Sequence, residues 1–293
     1  MEFISQIING LGLGSIYALV ALGYSMVYGI VQLINFAHGD IIMVGSYATY
    51  VVFIMMGLPL WLAMILSILF CAIMGIFIEK VAYQRLLDKG APRISLLITA
   101  IGVSIFLQNL SQLIFSSSGK AIPNVIPSFP VLLGSLQVSS VTIITIIVSV
   151  VLMITLQILV KKTKMGKAMR ATSEDSGAAQ LMGINPKNTI AFTFGIGSAL
   201  AAVGAILYCG AYAQITPYMG SMLGLKAFVA AVLGGIGSIP GAMIGGYLIA
   251  IAESLTKALG GSQITDAVVF GILIIVLLVK PTGLLGKNVK EKV

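Results

Sequence analysis

Residues 221–259 read SMLGLKAFVAAVLGGIGSIPGAMIGGYLIAIAESLTKAL, and how often they cross an apolar layer decides the fold. The first part is apolar apart from Lys226. It breaks at Gly234-Gly235-Ile236-Gly237-Ser238-Ile239-Pro240-Gly241, where glycine and proline interrupt a continuous helix. A second apolar run begins at Ala242. The stretch is either one long crossing or a descending half, a turn and a return. The charges elsewhere in the chain choose between the two.

The chain has 293 residues, is 58% apolar and 9% charged, and has a mean hydropathy of +1.08. A soluble domain carries about 25% charged residues. Uncharged runs cover 3–37, 41–78, 94–119, 121–160, 189–225, 227–252 and 267–279. Several exceed the ~20 residues a helix needs to cross a bilayer. They lack the alternation of barrel strands and read as helices of an integral membrane protein in contact with lipid.

The net charge of +8 does not point to nucleic acid, because fourteen of the 17 basic residues lie in three clusters. Lys80, Arg85, Lys89 and Arg93 form the first. Lys161, Lys162, Lys164, Lys167, Arg170 and Lys187 form the second, and Lys280, Lys287, Lys290 and Lys292 the third. Positive clusters stay on the cytoplasmic side. With the central cluster inside, the run after it exits outward. A single crossing by 221–259 would then leave the basic tail outside, whereas a broken or re-entrant pair returns it inside. The expected fold is all-α: a polytopic helical membrane protein with about eight or nine transmembrane segments, including that pair. One transmembrane domain spans 1–293, with a cytoplasmic loop at 161–188. Counting backwards places the N-terminus outside and the C-terminus in the cytoplasm. Met1-Glu2 is followed by no basic region or small-residue cleavage site, so the first segment is expected to be retained.

A second interruption lies at Gln32-Leu33-Ile34-Asn35-Phe36-Ala37-His38-Gly39-Asp40. It sets an amide, the only histidine and a carboxylate between apolar runs. Ionisable groups inside a membrane mark pathways and gates, although Asp40 also suits a helix N-terminus, where the dipole favours negative charge. Segment four, about 94–115, carries Gln108 and Asn109. Pro123, Pro127 and Pro130 keep the 116–137 loop from being helical. A weak internal repeat matches Met43-Val44-Gly45-Ser46-Tyr47 with Met243-Ile244-Gly245-Gly246-Tyr247, and Gly12-x-Gly-Ser with Gly195-x-Gly-Ser. The halves start on opposite sides, so the repeat would be inverted, as in transporter folds. Lys226 reads as a snorkelling residue near the outer surface. Glu253 and Lys257, at i,i+4, can pair.

The central polar interval, KKTKMGKAMRATSEDSGAAQLMGINPK at 161–187, contains a short helix of about 172–182. Thr172 or Ser173 can cap it, which places Glu174 and Asp175 in its first turn. Gly183 ends it, and Pro186 follows. A capped helix between two spans is a knob for a soluble partner, while its lysines alone would serve only topology.

No phosphate loop of the Gly-x-x-x-x-Gly-Lys-Ser/Thr type occurs, and no paired cysteines or histidine cluster suggests a metal. Cys71 and Cys209 lie in apolar runs and read as packing residues. No catalytic set is evident, so energy for pumping comes from a partner or an ion gradient. A proton-coupled carrier would use His38, Asp40 and Glu253. A purely structural subunit would not need broken helices.

Three stretches resemble the membrane permease of bacterial branched-chain amino acid ABC importers, the LivH type: Tyr28-Gly-Ile with Ile34-Asn-Phe-Ala-His-Gly-Asp40; Ala100-Ile-Gly-x-Ser-Ile-Phe-Leu-Gln-Asn109; and residues 227–246, AFVAAVLGGIGSIPGAMIGG. The resemblance covers almost the whole chain. Gly177-Ala178-Ala179-x-x-x-Gly183 stands where the family has Glu-Ala-Ala-x-x-x-Gly, with Gly177 in place of Glu and Glu174 and Asp175 just upstream. The resemblance implies a transporter subunit, not an enzyme. No cofactor is implied in this chain, since ATP is bound by partner subunits. The implied partners are a second homologous permease, two cytoplasmic ATP-binding subunits and a periplasmic solute-binding protein, all at the bacterial inner membrane. Leu, Ile and Val are the implied solutes; relatives carry urea or short amides. Coupling is expected at Glu174, Asp175, Gly177, Ala178, Ala179 and Gly183. The pathway or gate is expected at Asn35, His38, Asp40, Asn109, Gly234, Gly235, Gly237 and Pro240.

Overall fold

The computed structural model describes residues 2–32, 34–122, 125–133 and 136–286. Leu33, Pro123 and the tail lysines Lys287, Lys290 and Lys292 lie outside the described residues. The chain is helical almost throughout: α1 (Glu2–Val31), α2 (His38–Tyr50), α3 (Leu60–Ile78), α4 (Gln84–Asp88), α5 (Arg93–Phe115), α6 (Ser140–Lys162), α7 (Lys164–Glu174), α8 (Ser176–Leu181), α9 (Pro186–Ala211), α10 (Met219–Gly234), α11 (Ile239–Ala258) and α12 (Thr265–Val279). Single π-helical turns at Val51–Met55 and Glu79–Tyr83 extend α2 and α3. Among the described residues, eight helical stretches are long and apolar enough to cross a membrane. The 16-residue α10 is shorter and turns back into α11. Residues 221–259 are therefore two helices and not one crossing, as the charge distribution required.

One end of the bundle carries the basic loops. There Lys187 Nζ meets Asp88 Oδ2 at 2.6 Å, tying the start of α9 to the end of α4. The other end is closed by short strands. β1 (Lys120–Ala121) pairs antiparallel with β4 (Gln214–Ile215), and β2 (Pro130–Leu133) with β3 (Leu136–Ser139). The described residues of the proline-rich loop are thus non-helical, as expected, and are held by sheet hydrogen bonds.

Helix α1 lies at the centre, packed on α6, α9, α10 and α11. Its residues Ile16 to Leu22 are all buried. The outer helices α3, α5, α6 and α12 expose apolar side chains such as Phe70, Phe106, Ile147 and Ile275. With no aqueous hydrophobic drive between helices in lipid, close approach depends on small residues. Gly246 shows this: a Cβ there would lie 2.7 Å from the Ala18 amide nitrogen.

The packing repeats. α1 sits on α11 and α10, and α9 sits on α3 and α2. α2 pairs with α3 and touches α5; α10 pairs with α11 and touches α12. α1 and α9 run antiparallel, since Gly204 abuts Ile16 and Val20 while Gly197 abuts Gly23. The two halves are therefore inverted, with α1-α2-α3 matching α9-α10-α11. This corrects half of the sequence repeat. Gly12-x-Gly-Ser and Gly195-x-Gly-Ser fall on the equivalent helices α1 and α9. Met43 to Tyr47 and Met243 to Tyr247 fall on the non-equivalent α2 and α11, so that match is a coincidence of similar glycine-rich composition.

Candidate functional site

The central polar loop is built differently from the single helix expected at 172–182. Thr163 caps α7, its Oγ1 accepting from Gly166 N at 3.0 Å, and α7 runs through Thr172 and Ser173 to Glu174. Asp175 then breaks the helix with an extended backbone and caps α8. Its Oδ1 accepts from Gly177 N at 2.9 Å and Ala178 N at 3.0 Å. Neither Thr172 nor Ser173 caps, and Glu174 is not in a first turn. Asp is a stronger cap than Thr here because its carboxylate reaches two free amides and complements the dipole.

The other end of α8 is as expected. Gly183 has φ +80°, Ile184 N donates to Ala179 O at 3.0 Å and Gly183 N to Gln180 O at 3.0 Å. These two bonds make a Schellman stop. Asn185 then caps α9, with Pro186 in its first turn. The result is a rigid knob. Ala179 is buried, Ala178 is exposed, and Leu181 and Met182 are 90% and 82% exposed. A shallow groove lined by Ala171, Glu174, Ala178, Ala179, Met182 and Ile184 runs along it. Of the six expected coupling residues, Asp175, Gly177, Ala178, Ala179 and Gly183 lie on or at the ends of α8, and Glu174 is the last residue of α7. The apolar tip of Leu181 and Met182 completes the surface.

The first interruption makes a second centre. Asn35 is buried; its Oδ1 accepts from Ala37 N at 3.1 Å and from the hydroxyl of buried Tyr83 at 2.7 Å. It shapes the turn and ties it to the π turn of α3. His38 opens α2, which has no side-chain cap. Its ring stands edge-on to Tyr24 with centroids 4.7 Å apart, in a slot left by Gly23 and Gly197. His38 Nε2 and both carboxylate oxygens of buried Glu79 have no hydrogen-bond partner among the described residues. Asp40 is in the first turn of α2, but its carboxylate is engaged across the helices: it accepts from the Ser104 hydroxyl and from Gln108 Nε2, the latter at 3.0 Å. At this level α2 crosses α10 at backbone contact. A Cβ on Gly39 would lie 2.6 Å from Gly220 O, and one on Gly224 2.6 Å from Gly39 Cα.

Asn109 does not join this group. It is exposed, and its Nδ2 donates to Ile105 O within its own helix at 2.8 Å. Gln108, one position earlier, faces inward instead. The readable signal was the i,i+4,i+8 spacing of Ser104, Gln108 and Gln112, which puts them on one face of α5.

The second interruption lies at the basic end. Gly235 and Gly237 have φ +105° and +87°. Gly234 and Gly241 touch backbone to backbone, and Ser238 Oγ caps α11 by accepting from Gly241 N at 3.2 Å, with Pro240 in the first turn. Leu284 N and Leu285 N donate to Leu233 O and Gly234 O, each at 2.9 Å, and Gly237 N donates to Ser25 Oγ at 2.9 Å. The break thus joins α1, α10, α11 and the C-terminal segment. A few residues away, Tyr24, Tyr28, Ile34, Phe228, Ala231 and Ile236 line a small cavity that links both interruptions.

Lys226 does not snorkel. It is buried, 3.1 Å from Glu253 Oε1 and 2.8 Å from Asp266 Oδ1. Glu253 also meets Lys257 at 2.7 Å and accepts from the Tyr17 hydroxyl at 2.9 Å. The cluster joins α1, α10, α11 and α12. Glu253 is the buried end of the cluster and Asp266 its half-exposed end, so Lys226 compensates a carboxylate that solvent does not reach.

An inverted helical bundle with two interruptions and an exposed, capped knob on its basic end is a multi-pass membrane permease. Residues 6–278 match the family described as "Branched-chain amino acid transport system / permease component", and the chain belongs to that family. It is 46% identical to the high-affinity branched-chain amino acid transport system permease protein BraD of Pseudomonas aeruginosa, covering 100% of this chain and 98% of that protein. It is 45% identical to LivH of Escherichia coli, again over 100% and 98%. A probable LivH from Methanocaldococcus jannaschii is 32% identical over 94% of this chain and 90% of its own. Among solved structures, PsaBC from Streptococcus pneumoniae in complex with Fab shares the fold, with a TM-score of 0.50 and 15% identity, covering 96% of this chain and 93% of that one.

Proposed function

We propose that this chain is the membrane-spanning subunit of a bacterial inner-membrane importer that carries Leu, Ile and Val. A periplasmic binding protein delivers the solute, a second homologous permease completes the route, and two cytoplasmic subunits bind and hydrolyse the ATP. This chain holds no cofactor of its own. The observation that carries the reading is α8: a rigid helix between two spans, capped at both ends, presenting Ala178, Leu181 and Met182 bare of cover. Bare apolar side chains on a polar loop mark a protein contact, and the name of each full-length relative supplies the solute. In this arrangement the basic end, with α7, α8 and the C-terminus, is cytoplasmic.

The backbone freedom of the two interruptions supplies the gate. Asn35, Gly235 and Gly237 hold unwound backbone where protein groups satisfy it, as membrane interiors demand, and His38, Gly234 and Pro240 stand at the helix ends that flank it. Movement of α8 is passed through α7 and α9, both in contact with α1 or α2, to the point where α2 and α10 cross. The test is leucine uptake into vesicles carrying the assembled importer and its binding protein. Uptake supported by internal ATP and indifferent to a protonophore supports the reading; uptake abolished by the protonophore and independent of ATP overturns it.

A further inference from the structure

Two buried carboxylates with hydrogen-bond partners inside the bundle are balanced differently. Glu253 has two cations, Lys226 and Lys257. Asp40 is 1% exposed and has only neutral donors, the Ser104 hydroxyl and the Gln108 amide. No Lys, Arg or His nitrogen of the described residues forms an ion pair with it. An ionisable group inside a membrane without a counter-charge points to function, because its desolvation is uncompensated.

A polar track leads to it. Gln112 Nε2 donates to the Tyr218 hydroxyl at 2.7 Å, and Tyr218 is 56% exposed at the strand-bearing end. One turn further in, Gln108 Nε2 lies 2.9 Å from Ser221 Oγ and 3.0 Å from Asp40 Oδ1. Ser104 follows after another turn. From Gln112 to Ser104 the track runs about 12 Å along α5. Helix α5 rests on α2, and the Gln108–Ser221 and Gln112–Tyr218 hydrogen bonds tie it to the start of α10, along a line that is the α5–α10 seam. Beyond Asp40 the seam meets an aromatic floor of Tyr24, Phe36 and Phe228, whose rings lie 5.8–6.0 Å apart in succession.

We propose that the α5–α10 seam guides the polar head of an amino-acid solute to mid-membrane, where the Asp40 carboxylate receives its ammonium group. The proposal rests on the amino-acid import reading above. Ser104 and Gln108 position the carboxylate, and Gln112 and Tyr218 form the mouth. The solute supplies the cation that the protein omits, and the aromatic floor holds it until the crossing of α2 and α10 opens.

The test uses the assembled importer in vesicles. Gln112, Gln108, Ser104 and Ile105 are replaced singly by cysteine and treated from the binding-protein side with a charged methanethiosulfonate. Cys71 and Cys209 are buried and add little background. Cysteines at 112, 108 and 104 should react and block uptake, and Ile105→Cys on the apolar face should not. Asp40→Asn, which keeps size but removes charge, should lower leucine uptake per ATP hydrolysed about tenfold or more, with partial rescue by Asp40→Glu. Wild-type uptake per ATP by Asp40→Asn, or unreactive cysteines at both 104 and 108, would overturn the proposal. Reactive cysteines in a wild-type importer that takes up no amino acid would overturn the solute class and leave the seam standing.

Discussion

Gly39 carries more of the architecture than its size suggests. It is where α2 meets Gly220 and Gly224 of α10, at distances that leave no space for a methyl group. Gly39→Ala must push two backbones apart, at a cost of about 1–3 kcal/mol, and should lower the thermal midpoint of the solubilised protein by several degrees. Gly102→Ala is the control, because a Cβ there meets nothing within 4 Å. Equal midpoints for the two variants would show that the crossing is not tight. Asp175 is decisive in a different way, through one side-chain oxygen on two amides. Asp175→Asn keeps an acceptor and should retain uptake, while Asp175→Ala loses about 1 kcal/mol of capping and should weaken hold on the ATPase several-fold. If both variants lose hold on the ATPase alike, charge and not capping is what Asp175 contributes; if both keep it, the cap is dispensable. At this scale the sequence was partly legible. The polar and glycine positions near both interruptions stood out by composition. Which of Thr172, Ser173 or Asp175 caps, and whether Gln108 or Asn109 faces inward, depended on helix phase, which a single apolar run does not fix.

At the level of elements, the buried ion cluster binds α10, α11, α12 and α1 into one unit. Lys226→Met would leave half-exposed Asp266 without its cation and buried Glu253 with only Lys257, a loss of about 1–3 kcal/mol because solvent screens the exposed partners. Adding Asp266→Asn removes one stranded charge and should recover part of that stability, as thermal denaturation of the purified subunit would show. Equal stability of wild type and Lys226→Met would contradict the assignment. The existence of α10 and α11 as separate helices was readable, because glycine and proline cluster at 234–241 and the charge rule needs an even return. Of the cluster only the Glu253–Lys257 pair was readable, from its i,i+4 spacing; Lys226 and Asp266 lie 41 residues apart inclusive and join it only in three dimensions. The inverted repeat was half legible for a related reason. Glycine-rich helices share short motifs by chance, and only packing distinguishes α1–α9 from α2–α11 as the equivalent pair.

The whole molecule sets the α8 knob on one face, the crossing of α2 and α10 between, and the Gln112–Tyr218 end of the polar track on the other face. Its topology is testable by cysteine accessibility: a cysteine placed at Ser176 should react only from the cytoplasm and one at Gln214 only from outside, whereas the reverse pattern would invert the molecule. The fold class was plain from composition, since spans of this hydropathy have few alternatives, and the charge clusters supply the orientation that this labelling tests. The central claim is that α8 transmits force between this permease and an ATPase. Ala178→Trp tests it most directly, because Ala178 is exposed on the knob and the change leaves the caps of α8 untouched. The account predicts that the variant inserts in the membrane, yet loses the co-purifying ATPase or hydrolyses ATP without importing leucine. Full ATPase retention together with wild-type leucine uptake would contradict it.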